Sequence, residues 1–162
     1  MTLSFADRWA NKERELGLEE IASKIIYIGE VSLPDSAAPC LSFSQAENPV
    51  AIHSIFGFKA NWTEAEREQL KPFIVIGSDA SGSPICVTGE SGKVYLLNHE
   101  NLFESPQFVN SSLNQLAECL LAYQGETSAE FFQSLVNTID SAALAKGSFW
   151  EQEALLLKGV SI

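Results

Sequence analysis

Three apolar runs dominate the middle of the chain: Phe73 to Gly77, Pro84 to Thr88 and Lys93 to Asn98. Each is rich in β-branched residues, and the loops between them carry Gly82, Gly89 and Gly92. Runs of this kind bounded by glycine-bearing turns predict strands joined as hairpins, here a three-stranded antiparallel meander. In Phe73-Ile74-Val75-Ile76 and Val94-Tyr95-Leu96-Leu97 the apolar residues are consecutive. A strand with one wet face alternates, so the pattern predicts a sheet covered on both sides. After the third run, Phe108-Val109-Asn110-Ser111-Ser112 reads as a buried segment passing into a helix cap.

Helical spacing appears on both sides of the meander. Ser4 is placed to cap a helix from Phe5 to about Leu16, with Gly17 as its stop. Phe5, Trp9 and Leu16 form its apolar side, with Lys12, Glu13, Arg14 and Glu15 on the remainder. A further turn or two is expected over Leu18 to Lys24, then a strand at Ile25 to Ile28, stopped by Gly29 and Pro34. Cys40 to Phe43 reads as a short edge strand, and Val50 to Phe58 as a strand or an irregular apolar segment. Thr63-Glu64-Ala65-Glu66 has capping-box form, and Pro72 closes that helix.

In the last third, Leu113, Leu116, Ala117, Leu120 and Leu121 follow the cap Ser112 at helical spacing, with Gly125 as the stop. Thr127 with Glu130 introduces a stripe of Phe131, Phe132, Leu135, Val136 and Ile139. Ser148 with Glu151 starts a final helix that stacks Trp150, Ala154 and Leu157 and stops at Gly159. The expected architecture is α+β, with a central, mostly antiparallel sheet packed against N- and C-terminal helices. Without repeats or a long linker, residues 1–162 read as a single domain.

The order of these features resembles the SUKH superfamily, small α+β domains that include bacterial toxin-immunity proteins and fungal cell-wall assembly regulators. The residues that carry the resemblance are Ile76-Gly77, the strand Ile85 to Val87, Gly92-Lys93-Val94-Tyr95 and Phe108 to Leu113. Ile28-Gly29 followed by Leu33-Pro34, and Ser148-Phe149-Trp150, are similar to the SUKH-4 subgroup in particular. The resemblance implies a binding module, an immunity protein that neutralises a toxin by covering its active surface, with no catalytic residue.

Charge narrows the partners. Twenty-one acids against 10 bases give a net charge of −11. Contact with nucleic acid or an anionic membrane requires lysine and arginine clusters, which leaves a basic protein as the expected partner. A toxin acting on nucleic acid presents a basic cleft that such a surface would block. No apolar run reaches the ~20 residues of a membrane span, and the N-terminus lacks the pattern of a signal peptide. Cys40, Cys86 and Cys119 are odd in number and widely spaced, which predicts reduced thiols and a cytoplasmic protein.

Reactive chemistry finds little to build on. The Gly77 to Ser83 loop has glycine spacing akin to a phosphate loop but lacks its lysine, and a strand follows where a helix should begin. No CxxC or HxxxH pair is present for zinc, and no cofactor is expected. Cys86 and Cys119 fall within a strand and a helix, as packing groups do. Glu64, Glu66 and Glu68 share a helix with Arg67 and read as a solvated face. Asp79, Glu90, Glu100 and Glu104 lie on loops and strand ends of the meander, where an acidic rim would steer a basic partner. Trp62, beside Phe58 at the start of a helix, is either an interface anchor or a staple for that helix. Two other functions stay open: a small hydrolase or ligand-binding enzyme built around His53 and His99, and a regulatory scaffold of the same fold.

Overall fold

A computed structural model describes residues 2–18, 23–55, 63–123 and 128–159, apart from the side chains of His53 and Ile55. It is an α+β structure built on an antiparallel sheet. The meander forms as expected from β6 (Phe73–Ser78), β7 (Pro84–Thr88) and β8 (Val94–Leu96). A fourth strand, β9 (Gln107–Asn110), continues it by pairing with β8. On the other side of β6, β4 (Leu41–Ser42) and β5 (Val50–Ala51) share its edge, and β3 (Ser36–Ala37) pairs with β4. The segment expected as an edge strand at Cys40 to Phe43 is therefore interior, flanked by β3 and β6. A separate hairpin joins β1 (Ile25–Ile28) to β2 (Val31–Pro34).

Consecutive apolar residues in β6 serve two cores, as the unbroken run predicted. Ile76, Ile85, Val94 and Val109 face the larger core, with Leu116, Leu120, Phe132, Val136 and Trp150 against them. Those partners come from α4 (Leu113–Ala122), α5 (Ala129–Ile139) and α6 (Phe149–Leu157). Val75, Cys86, Leu97 and Phe103 face a smaller core with Ile52 of α2 (Ile52–Ile55) and Leu70 of α3 (Glu64–Leu70). Alternation along the strands separates the two sets, as in Val75/Ile76 and Ile85/Cys86, and a bulge shifts the register of β6 between Val75 and Gly77. A Cβ at Gly77 would overlap Ser42 O and press within 2.9 Å of Phe43 Cδ1, so this position admits β4 only as glycine.

The first helix, α1 (Phe5–Glu15), is capped by Ser4 as expected, its side chain accepting from Asp7 N at 3.1 Å, and Gly17 follows it with φ +73°. Its buried face differs from the expected one. Leu16 is 45% exposed, whereas Lys12 and Glu13 are buried beside Trp9. Lys12 Nζ donates to Leu120 O at 2.6 Å and Tyr123 O at 2.7 Å, the open carbonyls at the end of α4, and lies 4.6 Å from the Trp9 ring centre. Glu13 accepts from Ser23 N at 2.8 Å. A cation on the carbonyl end of a helix satisfies acceptors that have no partner within it.

The remaining helix signals resolve in detail. Thr63 and Glu66 make both halves of the capping box, each at 3.1 Å. Ser112 caps α4 by accepting from Gln115 N at 3.2 Å. The cap of α5 is Ser128, accepting from Phe131 N at 3.2 Å. Thr127 and Gly125 lie outside the described residues, as do Glu19 to Ala22 of the expected early helical turn. Phe131, expected in the apolar stripe, is 57% exposed. Ser148 begins α6 without capping it, because its hydroxyl lies 2.6 Å from both Ala143 O and Ala145 O and gives its one proton to these carbonyls.

Candidate partner-binding site

Two stretches that carry the family resemblance meet in a buried polar network. Asp140, at the end of α5, accepts from Asn110 Nδ2 at 3.1 Å, Ser111 N at 2.7 Å and Ser111 Oγ at 2.8 Å. Asn110 in turn accepts from Trp150 Nε1 at 2.9 Å. The Trp150 ring is wholly buried against Tyr123, Phe132 and Phe149, with ring centres 4.8–5.8 Å away. Asn110-Ser111 and Phe149-Trp150 thus tie β9 to α5 and α6 from within. Asn110, Asp140 and Trp150 are buried, so this network is architectural.

The meander sends its loops to opposite ends of the sheet. The 79–83 loop and the connection from Leu97 to Pro106 share one end, while the 89–92 turn is at the other. Asp79 and Glu100 line one polar cleft of about 210 Å³, together with Ser81, Asn98 and Gln107. Glu104 is exposed on the adjoining turn and lines a second cleft of about 350 Å³ against α3. Glu90, in the 89–92 turn, is not brought together with these three; β7 alone separates the ends by roughly 17 Å at ~3.3 Å per residue. Trp62 lies outside the described residues.

Local hydrogen bonds tie the loops at this end. Asp79 Oδ1 accepts from Ser81 N and Ser83 N, both at 3.0 Å, closing the loop on itself. Asn98 accepts from Glu100 N at 2.9 Å and starts a 3-10 turn over His99–Asn101. Two consecutive left-handed residues follow, Leu102 at φ +56° and Phe103 at φ +67°. For residues with a Cβ this conformation costs about 1–2 kcal/mol each. Burial of Phe103 in the smaller core opposes that strain and leaves Leu102 and Glu104 exposed on either side of it.

Among the described groups considered for catalysis, two thiols and one imidazole are engaged in packing or loop contacts. Burial pushes the Cys86 and Cys119 thiols up to about 12, which keeps them protonated and weak as nucleophiles. Cys40 is exposed. His99 Nδ1 lies 2.9 Å from Ser83 Oγ, and the same hydroxyl accepts from His99 N at 3.3 Å. Ser83 is only 3% exposed, and this contact pins the loop to the 3-10 turn. The side chain of His53 is outside the described ones. Among the described residues no group of three or more His, Cys, Asp or Glu is placed to hold a metal.

The groove along α3 escaped sequence reasoning for a plain reason. Leucine and phenylalanine carry no turn signal, so nothing local announces the bend at Leu102 and Phe103 that brings Glu104 opposite Glu66 and Gln69. The Asn98 cap was the one available clue, since asparagine is a common start for such turns.

The family model for the SUKH-4 immunity protein matches residues 16–157. No curated protein matches the chain, and no solved structure does. Among the described residues no helix is long and apolar enough to cross a membrane. The chain belongs to the SUKH-4 immunity protein family, a membership that supports an immunity role with a toxin as its protein partner.

Proposed function

We propose that the chain, acting as one domain over residues 1–162, neutralises a basic toxin domain by docking the acidic end of its sheet over the toxin's working surface. The observation that carries this reading is the convergence of Asp79 and Glu100 in one cleft with Glu104 on the next turn, in a chain of net charge −11. Pre-formed loops favour such docking, because little side-chain and backbone freedom is lost when the partner arrives. A nuclease-type toxin fits best, since its cleft must be cationic to hold a phosphate backbone. Glu90, at the far end, contributes to long-range steering and not to the contact. Trp62 is retained as an aromatic anchor for the partner on the ground of its residue type alone. Inhibition of this kind needs no catalytic group and no cofactor, and the protein acts in the cytoplasm with its thiols reduced.

The test is binding and inhibition by the purified chain of the toxin domain encoded beside it. The expected result is a one-to-one complex that abolishes the toxin's activity. A neighbouring gene product that is not a toxin, or a toxin that the chain neither binds nor inhibits, overturns the reading.

A further inference from the structure

The cleft between α3 and the turn at Leu102 to Pro106 differs from the polar cleft beside it. Leu70, Phe73, Leu102 and Phe103 supply apolar walls, and Glu104 stands at the rim with Gln69. Its volume of about 350 Å³ is large enough to admit a long side chain from another molecule. Glu66 also lines it, one carboxylate oxygen accepting from Thr63 N in the capping box. Glu104 is exposed, and its carboxylate accepts no hydrogen bond among the described residues. The cleft therefore combines an apolar channel with an anionic end.

We propose that this cleft seats an arginine side chain of the bound protein, its methylene stem along Phe73 and Leu102 and its guanidinium against Glu104 and Gln69. This rests on the immunity reading and adds to it the chemistry of one anchor. Charge selects a cation, because the rim and the whole chain are negative. Shape and hydration select arginine over lysine. The guanidinium is flat, more weakly hydrated than an ammonium, stacks on aromatic faces and offers several donors to a carboxylate and an amide at once. Long basic side chains bury their stems on apolar surface while the charged head stays at a polar rim, as this cleft requires. The Phe103 anchor holds the outer wall in place before binding.

The experiment is an NMR titration of the isotope-labelled full chain with N-acetyl-arginine amide, and separately with the lysine and norleucine amides. The arginine probe is expected to give saturable shifts confined to Gln69, Phe73 and Leu102 to Glu104. The lysine probe should bind more weakly and the norleucine probe should produce no comparable pattern. Glu104→Gln, a change on an exposed side chain, should weaken the arginine response about fivefold. Shifts spread evenly over Asp79, Glu90 and the other acids, an equal response to norleucine, or no response at all would each overturn the proposal. Against the neighbouring toxin domain, undiminished affinity in E104Q and Leu102→Asn overturns the arginine anchor alone. Loss of binding by the unaltered chain overturns the immunity reading instead.

Discussion

Replacing Asp140 separates an architectural role for the Asn110–Asp140–Trp150 network from a surface role. Asp140→Ala removes the acceptor of three hydrogen bonds, at 2.7, 2.8 and 3.1 Å. Ser111 Oγ can turn to another acceptor and Asn110 Nδ2 keeps the weak acceptor Cys119 Sγ at 3.4 Å, but Ser111 N loses the partner that Asp140, itself only 5% exposed, had supplied. A stranded buried donor costs about 1–3 kcal/mol, so one stranded donor and a second left on a weak sulfur acceptor give about 3 kcal/mol. That is a large part of the ~5–15 kcal/mol that holds a domain folded. With a urea slope of roughly 2 kcal/mol/M, the midpoint should fall by about 1.5 M with the slope unchanged. Asp140→Asn provides the internal control. Its amide oxygen can take the position that accepts from Ser111 N and Asn110 Nδ2, while its NH2 group donates to Ser111 Oγ, so its loss should stay near ~1 kcal/mol. Urea unfolding followed by circular dichroism measures both. A loss below about 1 kcal/mol for the alanine variant, or equal losses for the two, would refute the reasoning.

Further outcomes follow from other parts of the structure. Gly77→Ala forces a Cβ into Ser42 O and Phe43, and should lower stability by about 2 kcal/mol or more in the same unfolding assay; an unchanged midpoint would mean that β4 does not sit against β6 as described. Cys40 is exposed while Cys86 and Cys119 are buried, so a thiol reagent near pH 8 should label one cysteine per native chain and three in denaturant. Burial lowers the Lys12 ammonium to about 8 from 10.5, with Glu13 opposing the shift. The unfolded chain then holds more protons there than the folded chain, so this residue's contribution to stability rises as pH increases from about 8 towards 10.5. The two buried thiols act in reverse above pH 9, since only the unfolded chain ionises them. Lys12→Met should therefore flatten any rise in stability between pH 8 and 9, and an identical pH slope in the variant would contradict the assignment.

What the sequence could disclose was whatever local chemistry encodes. Capping at Ser4, Thr63 and Ser112 depends on atoms within three residues, and all three form as expected. The meander was visible because its turns and its unbroken apolar runs are both local signals. The buried face of α1 was misjudged by polarity. Residues 5, 9, 12 and 13 share one face by helical spacing, but Lys12 and Glu13 enter the core only because the end of α4 and Ser23 N receive them. No residue near Lys12 in sequence announces those partners. Phe131 shows the converse, an apolar residue in an apolar stripe that the packing leaves exposed. The strand at Gln107–Asn110 was hidden behind the serines of the following cap, although Phe108 and Val109 are ordinary strand residues.

The candidate site was legible in part. Asp79, Glu100 and Glu104 were recognisable as acids on the loops of one meander, and alternation of hairpin ends then determines that Glu90 stands apart from them. The cleft walls come from α3 and from a turn with no turn residues, so their meeting is a property of the fold and not of any segment.

The most direct test of the account is the rate at which the purified chain associates with the toxin domain encoded beside it, measured over a range of ionic strength. The screening length is about 10 Å at 0.1 M and shortens as salt is added. If the acidic end of the sheet guides docking, the rate should drop by at least about tenfold between low and high salt. In the Asp79→Asn, Glu100→Gln, Glu104→Gln variant that drop should be largely abolished while the fold is retained. A rate indifferent to salt, or a variant that associates as fast and as salt-sensitively as the parent, would contradict it.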